Sequence, residues 1–96
     1  MAKPKTETTP WDAATLLRSD GDVVAYLEAV LDEGDPALLA AALGDVARAK
    51  GMTRIARDAG VGRESLYKAL SLGGNPEFAT VQKVIRALGL RLRVSE

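Results

Sequence analysis

The sequence has no cysteine and no histidine among its 96 residues, and aromatic residues make up only 4% of it. Without these two residue types there are no thiol nucleophiles, no disulfide bonds and few ligands for a transition metal. No cluster of carboxylates in a glycine-rich pocket is visible either. We therefore expect a protein that is not an enzyme and that needs neither a metal nor another cofactor.

Long hydrophobic segments are also missing. The longest apolar run, Pro36 to Leu43, is far shorter than the roughly 20 residues that cross a bilayer. Lys3, Pro4 and Lys5 follow the first methionine with no apolar stretch behind them, so no signal peptide is visible. These features predict a cytoplasmic protein with no membrane partner.

Hydrophobic residues account for 47% of the chain, and alanine and leucine are prominent among them. This composition predicts one all-α domain over residues 11–96, preceded by a flexible arm over residues 1–10. Apolar spacing and helix-terminating residues divide the domain into five to six short helices. The expected segments are a turn around Trp11 and five helices. The helices run from near Asp22 to Gly34, from Pro36 to about Lys50, from a cap at Thr53 to just before Gly60, from Gly62 to about Leu72, and from Glu77 to Leu88.

The formal charge is zero overall but is divided along the chain. Residues 1–47 carry three basic and nine acidic side chains, a net charge of −6, whereas residues 48–96 carry ten basic and four acidic ones, a net charge of +6. Such a division indicates two partners of opposite charge, although short chains also acquire it by chance.

The segment Met52–Leu70, MTRIARDAGVGRESLYKAL, meets the steric demands of a helix-turn-helix over residues 52–71. Ala56 is small enough for two helices to cross closely, and Gly60 can adopt the positive φ that the turn requires. Val61 is an apolar plug after the turn. Helical spacing predicts that the buried positions are Ile55 and Ala59 on the first helix and Leu66, Ala69 and Leu70 on the second.

The opposite face of the second helix predicts contacts with base edges in the major groove of DNA. Arginine and lysine pair with guanine, and glutamate accepts a hydrogen bond from cytosine. The expected base contacts are Arg63, Glu64, Tyr67 and Lys68, and the expected phosphate contacts are Thr53, Arg54, Arg57 and Ser65. The alternative is an ordinary solvated face, in which Glu64 pairs with Lys68 and Tyr67 covers the helix edge.

The C-terminal tail predicts a homodimer. A single recognition helix reaches few base pairs, so proteins with this motif usually act as two-fold dimers. Leucine and valine alternate with arginine over Leu90–Val94, which is the pattern of a short strand that needs a partner strand. The expected dimer interface consists of Val84, Leu88, Leu90, Leu92 and Val94, unless the tail folds back over its own core.

From Tyr26 to Leu92 the sequence resembles the addiction-module antidote family of HigA type, whose helix-turn-helix is similar to that of lambda-repressor-like (Xre/Cro) proteins. The resemblance rests on GDP at Gly34–Pro36, ALGDVARAKGM at Ala42–Met52, GVGRESLYKAL at Gly60–Leu70 and NPEFATVQKVIRALGL at Asn75–Leu90. Gly62 departs from the family pattern, which more often has serine or threonine there.

The resemblance implies an antitoxin of a type II toxin–antitoxin module. Members of the family bind a small basic toxin of the RelE/ParE class and repress their own operon. On this interpretation the basic half of the chain meets operator DNA and the acidic half meets the toxin. The expected toxin-binding residues are Asp20, Asp22, Glu28, Asp32 and Glu33.

Two other classes of protein stay open. A stand-alone, phage-derived transcriptional regulator without a toxin partner would carry the same helix-turn-helix, and a neighbouring gene for a small basic protein would distinguish the two. A protein-interaction module would use the face from Arg63 to Lys68 to bind a protein. Titration of operator DNA at several salt concentrations would distinguish that module from both DNA-binding classes.

Overall fold

The computed structural model describes residues 19–96, and this part of the chain forms five α-helices and no β-strand. The helices are Asp20–Glu33 (α1), Pro36–Lys50 (α2), Met52–Ala59 (α3), Arg63–Ala69 (α4) and Phe78–Ala87 (α5). The predicted all-helical class is confirmed for these residues. The arm expected over residues 1–10 and the turn expected around Trp11 lie outside the described residues.

Helices α1 and α2 begin where a side chain caps their free N–H groups. Ser19 Oγ accepts from the Asp22 backbone N–H at 3.1 Å, and Asp22 Oδ2 accepts from the Ser19 N–H at 3.2 Å, which is a capping box. Because of this box α1 begins at Asp20, earlier than the predicted start near Asp22. Asp35 Oδ1 accepts from the Ala37 N–H at 2.9 Å and Pro36 is the first residue of α2, as predicted.

Helices α3 and α4 have no side-chain cap at their N-termini. The prediction that Thr53 caps α3 is wrong, because α3 begins at Met52 and Gly51 occupies its cap position. A missing cap costs about 1 kcal/mol, whereas burial of one large aliphatic side chain contributes about 1.5–3 kcal/mol. Met52 and Ile55 are both buried. Packing of these two side chains therefore outweighs the missing cap.

All five helices contribute to one core, and α3 lies at its centre. Helix α3 packs against α2, α4 and α5, while α1 packs against α2. The largest fully buried side chains are Val23, Leu43, Val46, Ile55, Leu66, Leu70 and Val84. A helix of only 8 residues such as α3 is marginal by itself, so these tertiary contacts hold it in place.

The chain after α5 does not form the predicted strand. Helix α5 ends at Ala87, Gly89 has a φ of 79°, and the Leu90 N–H donates to Ile85 O at 3.1 Å. Residues 91–96 then run without regular structure. A strand needs a neighbour for its N–H and C=O groups, and residues 19–96 of the single chain provide none. The prediction of a short C-terminal strand is therefore wrong for the single chain.

Candidate nucleic-acid interface

The turn between α3 and α4 uses small residues where the chain approaches itself closely. Ala56 is buried where the two helices meet, and Gly60 has a φ of 72°, which strains any residue with a Cβ. The Gly60 N–H bonds to Arg57 O at 3.1 Å and the Val61 N–H bonds to Ala56 O at 2.9 Å, which ends α3. Val61 packs half-buried against the core. The turn geometry predicted from the sequence is confirmed at these positions.

Helix α4 buries one face and exposes the other. Leu66 and the adjoining Leu70 are completely buried, and Ala69 is half-buried. The opposite face is exposed, and it carries the predicted base-contacting residues Arg63, Glu64, Tyr67 and Lys68, together with Ser65. A polar surface of at least four side chains is thus presented by a helix of 7 residues that is anchored by its apolar side.

The exposed face of α4 is not stabilised by the ion pair that a merely solvated face would favour. In residues 19–96 the ion pairs are Arg48–Asp45, Lys50–Asp20, Arg54–Asp58 and Arg57–Asp58, and Glu64 does not pair with Lys68. Arg63 is the first residue of α4, where the positive end of the helix dipole disfavours a cation by about 0.3–1 kcal/mol. Its position therefore favours a role other than stabilising the helix.

The predicted phosphate contacts on α3 are also exposed: Thr53, Arg54 and Arg57. Arg54 Nε lies 3.8 Å from Asp58 Oδ2, and Arg57 Nε lies 3.6 Å from Asp58 Oδ1. Exposed ion pairs of this kind contribute about 0–1 kcal/mol. Because they are so weak, both arginines can exchange the carboxylate for a phosphate at little cost.

A network next to α4 involves three residues that the sequence analysis did not assign to the site. Asp45, on α2, accepts from Tyr26 Oη at 3.0 Å through Oδ2 and from Arg48 Nη2 at 2.7 Å through Oδ1. Burial, together with the hydrogen bond to Asp45 and its negative charge, raises the pKa of Tyr26 to about 12, although Arg48 opposes this. The Arg48 Cζ lies 5.6 Å from the centroid of the Tyr67 ring. The one signal for this network in the sequence is the spacing of three residues between Asp45 and Arg48, which allows an ion pair on a helix.

The acidic residues predicted to bind a toxin all lie on α1 and are all exposed. Two of them also have a structural role, because Asp20 Oδ1 accepts from Lys50 Nζ at 3.1 Å and Asp22 belongs to the capping box. Asp32 and Glu33 end the helix, and its last turn contains no basic residue. Negative charges at a helix C-terminus cost about 0.3–1 kcal/mol each, so these two carboxylates do not stabilise α1.

The predicted dimer residues fall into two groups. Val84 and Leu88 are buried in the core of the single chain, so a second copy cannot reach them without disrupting that core. Leu90 is half-buried, Leu92 is 47% exposed and Val94 is 98% exposed. Any interface at this end of the molecule is therefore limited to the tail and the surfaces next to it.

The described residues contain no group of three carboxylates close enough to hold a metal ion. None of the five helices between Asp20 and Ala87 has the length and hydrophobicity needed to cross a membrane. What residues 19–96 define is thus a small helical protein whose most distinctive surface is the polar face of a short helix that follows a tight turn.

The chain belongs to the family of probable addiction module antidote proteins, whose family model matches residues 7–96. It is 51% identical over 86 residues to an uncharacterized protein of Haemophilus influenzae (strain ATCC 51907 / DSM 11121 / KW20 / Rd), an alignment that covers 90% of this chain and 89% of the relative. No solved structure matches the chain. Family membership implies an antidote role and, in general, a toxin as partner.

Proposed function

We propose that the chain is the antitoxin of a type II toxin–antitoxin module, a cytoplasmic binding protein without catalytic activity. It neutralises a RelE/ParE-like toxin by direct contact and represses its own operon through a DNA-binding helix-turn-helix formed by α3 and α4. Membership of the antidote family supports the antitoxin role. The observation that carries the DNA-binding role is the exposed polar face of α4, which is anchored by the fully buried Leu66 and Leu70.

In the proposed complex the N-terminal end of α4 enters the major groove. Arg63 and Lys68 donate to guanine and Glu64 accepts from cytosine, with Tyr67 contacting a base beside them. The phosphate contacts of Thr53, Arg54, Arg57 and Ser65 fix the position of the protein along the duplex. Arg63 interacts unfavourably with the positive end of the α4 dipole, and recognition of a base would compensate for that cost, which supports this assignment.

Substitution of Arg63 by alanine should weaken binding to the cognate DNA by about 1–3 kcal/mol and relax the preference at one base position. The duplex is one that the wild-type chain selects from a random-sequence pool, and affinity is measured by fluorescence anisotropy. Folding should not suffer, because removal of this cation from the helix N-terminus is neutral or slightly favourable.

Lys83→Ala is the matched control, since Lys83 is exposed on α5, is not one of the proposed DNA contacts, and its loss removes the same charge. Its affinity for the selected duplex should stay close to wild type. If Arg63→Ala binds as tightly as Lys83→Ala while its circular dichroism spectrum is unchanged, α4 does not read the bases and this part of the proposal fails.

The proposed toxin-binding surface is the acidic face of α1, and Asp32 and Glu33 are its strongest candidates. Their exposed carboxylates face a helix dipole that disfavours them. A basic partner would compensate that cost, and an acidic surface also speeds the approach of a basic toxin.

Replacement of Asp32 and Glu33 by lysine should weaken the complex with the proposed RelE/ParE-like toxin, and DNA binding should stay largely intact. The free energy of unfolding should not fall, because lysine at the C-terminus of α1 interacts favourably with the dipole. Co-purification and isothermal titration calorimetry measure the first effect, and urea denaturation measures the second. Equal loss of toxin and DNA binding would contradict the assignment of two separate surfaces.

The proposed homodimer forms through the tail. Val94 is almost completely exposed, and Leu31, Phe78 and Leu92 line an adjoining apolar groove in which they are 48%, 64% and 47% exposed. A second copy would cover this apolar surface, and the two tails could pair as strands because each provides the hydrogen-bonding partner that the other lacks. Two half-sites about one DNA turn apart would then be bound together.

Truncation after Gly89 should convert the dimer to a monomer and lower operator affinity, as measured by light scattering at micromolar concentration and by anisotropy. The truncation also removes Leu90, which packs against the core. Val94→Glu provides the second variant, because a side chain that is 98% exposed can be changed without affecting the fold of the single chain. If both variants stay dimeric, the tail is not the interface.

A further inference from the structure

The contact between Arg48 and Tyr67 joins two helices that are separated along the chain. Arg48 lies in the last turn of α2, and Tyr67 lies on the exposed face of α4. The guanidinium carbon is 5.6 Å from the ring centroid, a distance at which a cation is attracted to the face of an aromatic ring. Tyr67 is 50% exposed, so half of its surface stays available to a ligand.

The position of Arg48 is fixed from the other side by Asp45. The Asp45 side chain is only 13% exposed, and its Oδ1 accepts from Arg48 Nη2 at 2.7 Å, the short end of the range for a charge-assisted hydrogen bond. The second oxygen, Oδ2, is occupied by the Tyr26 hydroxyl of α1 at 3.0 Å. With both oxygens engaged, the carboxylate cannot rotate freely, and the guanidinium that it holds is directed toward Tyr67.

We propose that Arg48 is a positioning residue that holds Tyr67 ready to contact DNA, and that Tyr26 and Asp45 hold Arg48 in turn. The proposal rests on the DNA-binding role of α4 described above. A side chain that is already ordered before binding loses less conformational entropy when it is immobilised at an interface. The chain Tyr26–Asp45–Arg48–Tyr67 thus makes helices α1 and α2 contribute to recognition by α4 without touching DNA themselves.

The test is a double-mutant cycle with Arg48→Met and Tyr67→Leu on the full chain, using a duplex that the wild-type chain selects from a random-sequence pool. Methionine keeps the aliphatic length of the side chain and removes its charge. Arg48→Met should weaken binding about two- to fivefold in the wild-type background. It should have no effect in the Tyr67→Leu background, because the side chain that it positions is then absent.

Lys50→Met is the matched control for the loss of one positive charge, since Lys50 is on the same helix but bonds to Asp20 rather than approaching Tyr67. Its effect should be the same with and without Tyr67. The salt dependence separates positioning from direct phosphate contact: the slope of log affinity against log salt should be unchanged in Arg48→Met. A decrease of about one in that slope would show that Arg48 contacts a phosphate and would overturn the proposal.

A second readout needs no DNA. In the free protein, the Arg48 side-chain protons should show an upfield NMR ring-current shift that disappears in Tyr67→Leu and decreases in Tyr26→Phe. Absence of this shift from the wild type, or an equal loss of affinity from Arg48→Met in both backgrounds, would overturn the proposal. If the wild-type chain selects no duplex, the DNA-binding role itself fails. The ring-current shift would then show a contact between Arg48 and Tyr67 that serves no recognition, and this outcome also overturns the proposal.

Discussion

Replacement of Gly44 by alanine should destabilise the protein strongly, although alanine is the better helix former. Gly44 is buried in α2, and a Cβ built there would lie 2.0 Å from the carbonyl oxygen of Leu70, 3.1 Å from its carbonyl carbon and 3.3 Å from its Cβ. Alanine is favoured over glycine inside a helix by about 1 kcal/mol. Overpacking of a core typically costs about 1–3 kcal/mol and occasionally more. Since the obstacle is the backbone rather than the movable end of a side chain, we expect the steric cost to exceed the gain in helix propensity.

The net loss should be about 2 kcal/mol of unfolding free energy, which is a steric cost near the upper end of that range less the gain of about 1 kcal/mol in helix propensity. Each kcal/mol lowers the Tm of a domain of this size by about 4–8 °C, so differential scanning calorimetry and urea denaturation will both detect it. The matched control is Gly21→Ala on the exposed face of α1, where the nearest atom, Ser19 Oγ, is 3.7 Å from the new Cβ. This control should gain up to about 1 kcal/mol. Equal stability of the two variants would mean that α2 does not approach Leu70 as closely as described.

The importance of Gly44 illustrates what sequence patterns could not predict. Apolar spacing along α2 favours burial of Leu43 and Val46, and both are fully buried. The close approach of Gly44 to Leu70, 26 positions later, depends on how α2 and the end of α4 pack, and no local pattern contains that information. The hydrogen bond between Tyr26 and Asp45 likewise joins residues on different helices that are far apart in the sequence.

Helix ends were predictable where one residue determined them. Gly34, Gly51, Gly60 and Gly89 all have positive φ, and the Asp35–Pro36 start was confirmed by its cap. Predictions failed where two local signals competed. Ser19 begins a capping box with Asp22, although Gly21 between them is a poor helix former. Thr53 looked like a cap, but the burial of Met52 places the helix start before it.

The candidate site was predictable for a related reason. An exposed face follows directly from which residues are buried, so the buried Leu66 and Leu70 were enough to place Arg63, Glu64 and Lys68 on the outside. The tail was less predictable, because the alternation of apolar and basic residues indicates a strand only if a partner is present. Leu31 is 48% exposed although it lies four residues after the buried Leu27, a spacing that favours burial.

Gly74→Ala should give the second large effect, and it acts at the C-terminal end of α4. A Cβ on Gly74 would lie 2.2 Å from Ala69 O, 2.6 Å from Lys68 O and 2.7 Å from the carbonyl carbon of Ala69. The Gly74 N–H also donates to Ser71 O at 2.8 Å, which holds the loop against the end of the helix. Alanine must push the loop away from these carbonyl groups, and we expect a loss of about 1–3 kcal/mol of unfolding free energy.

Gly73→Ala is the matched control, because the neighbouring glycine has no heavy atom within 4 Å of its new Cβ and neither residue has a positive φ. The control should be neutral or gain about 0.4–1 kcal/mol from a less flexible unfolded chain. Urea denaturation compares the two variants, and hydrogen exchange of the residue-74 amide reports whether its bond to Ser71 is kept. Displacement of the loop should also lower DNA affinity in Gly74→Ala alone, since α4 then loses the support at its end. Identical denaturation midpoints for the two variants would show that the loop does not rest on the carbonyl groups of Lys68 and Ala69.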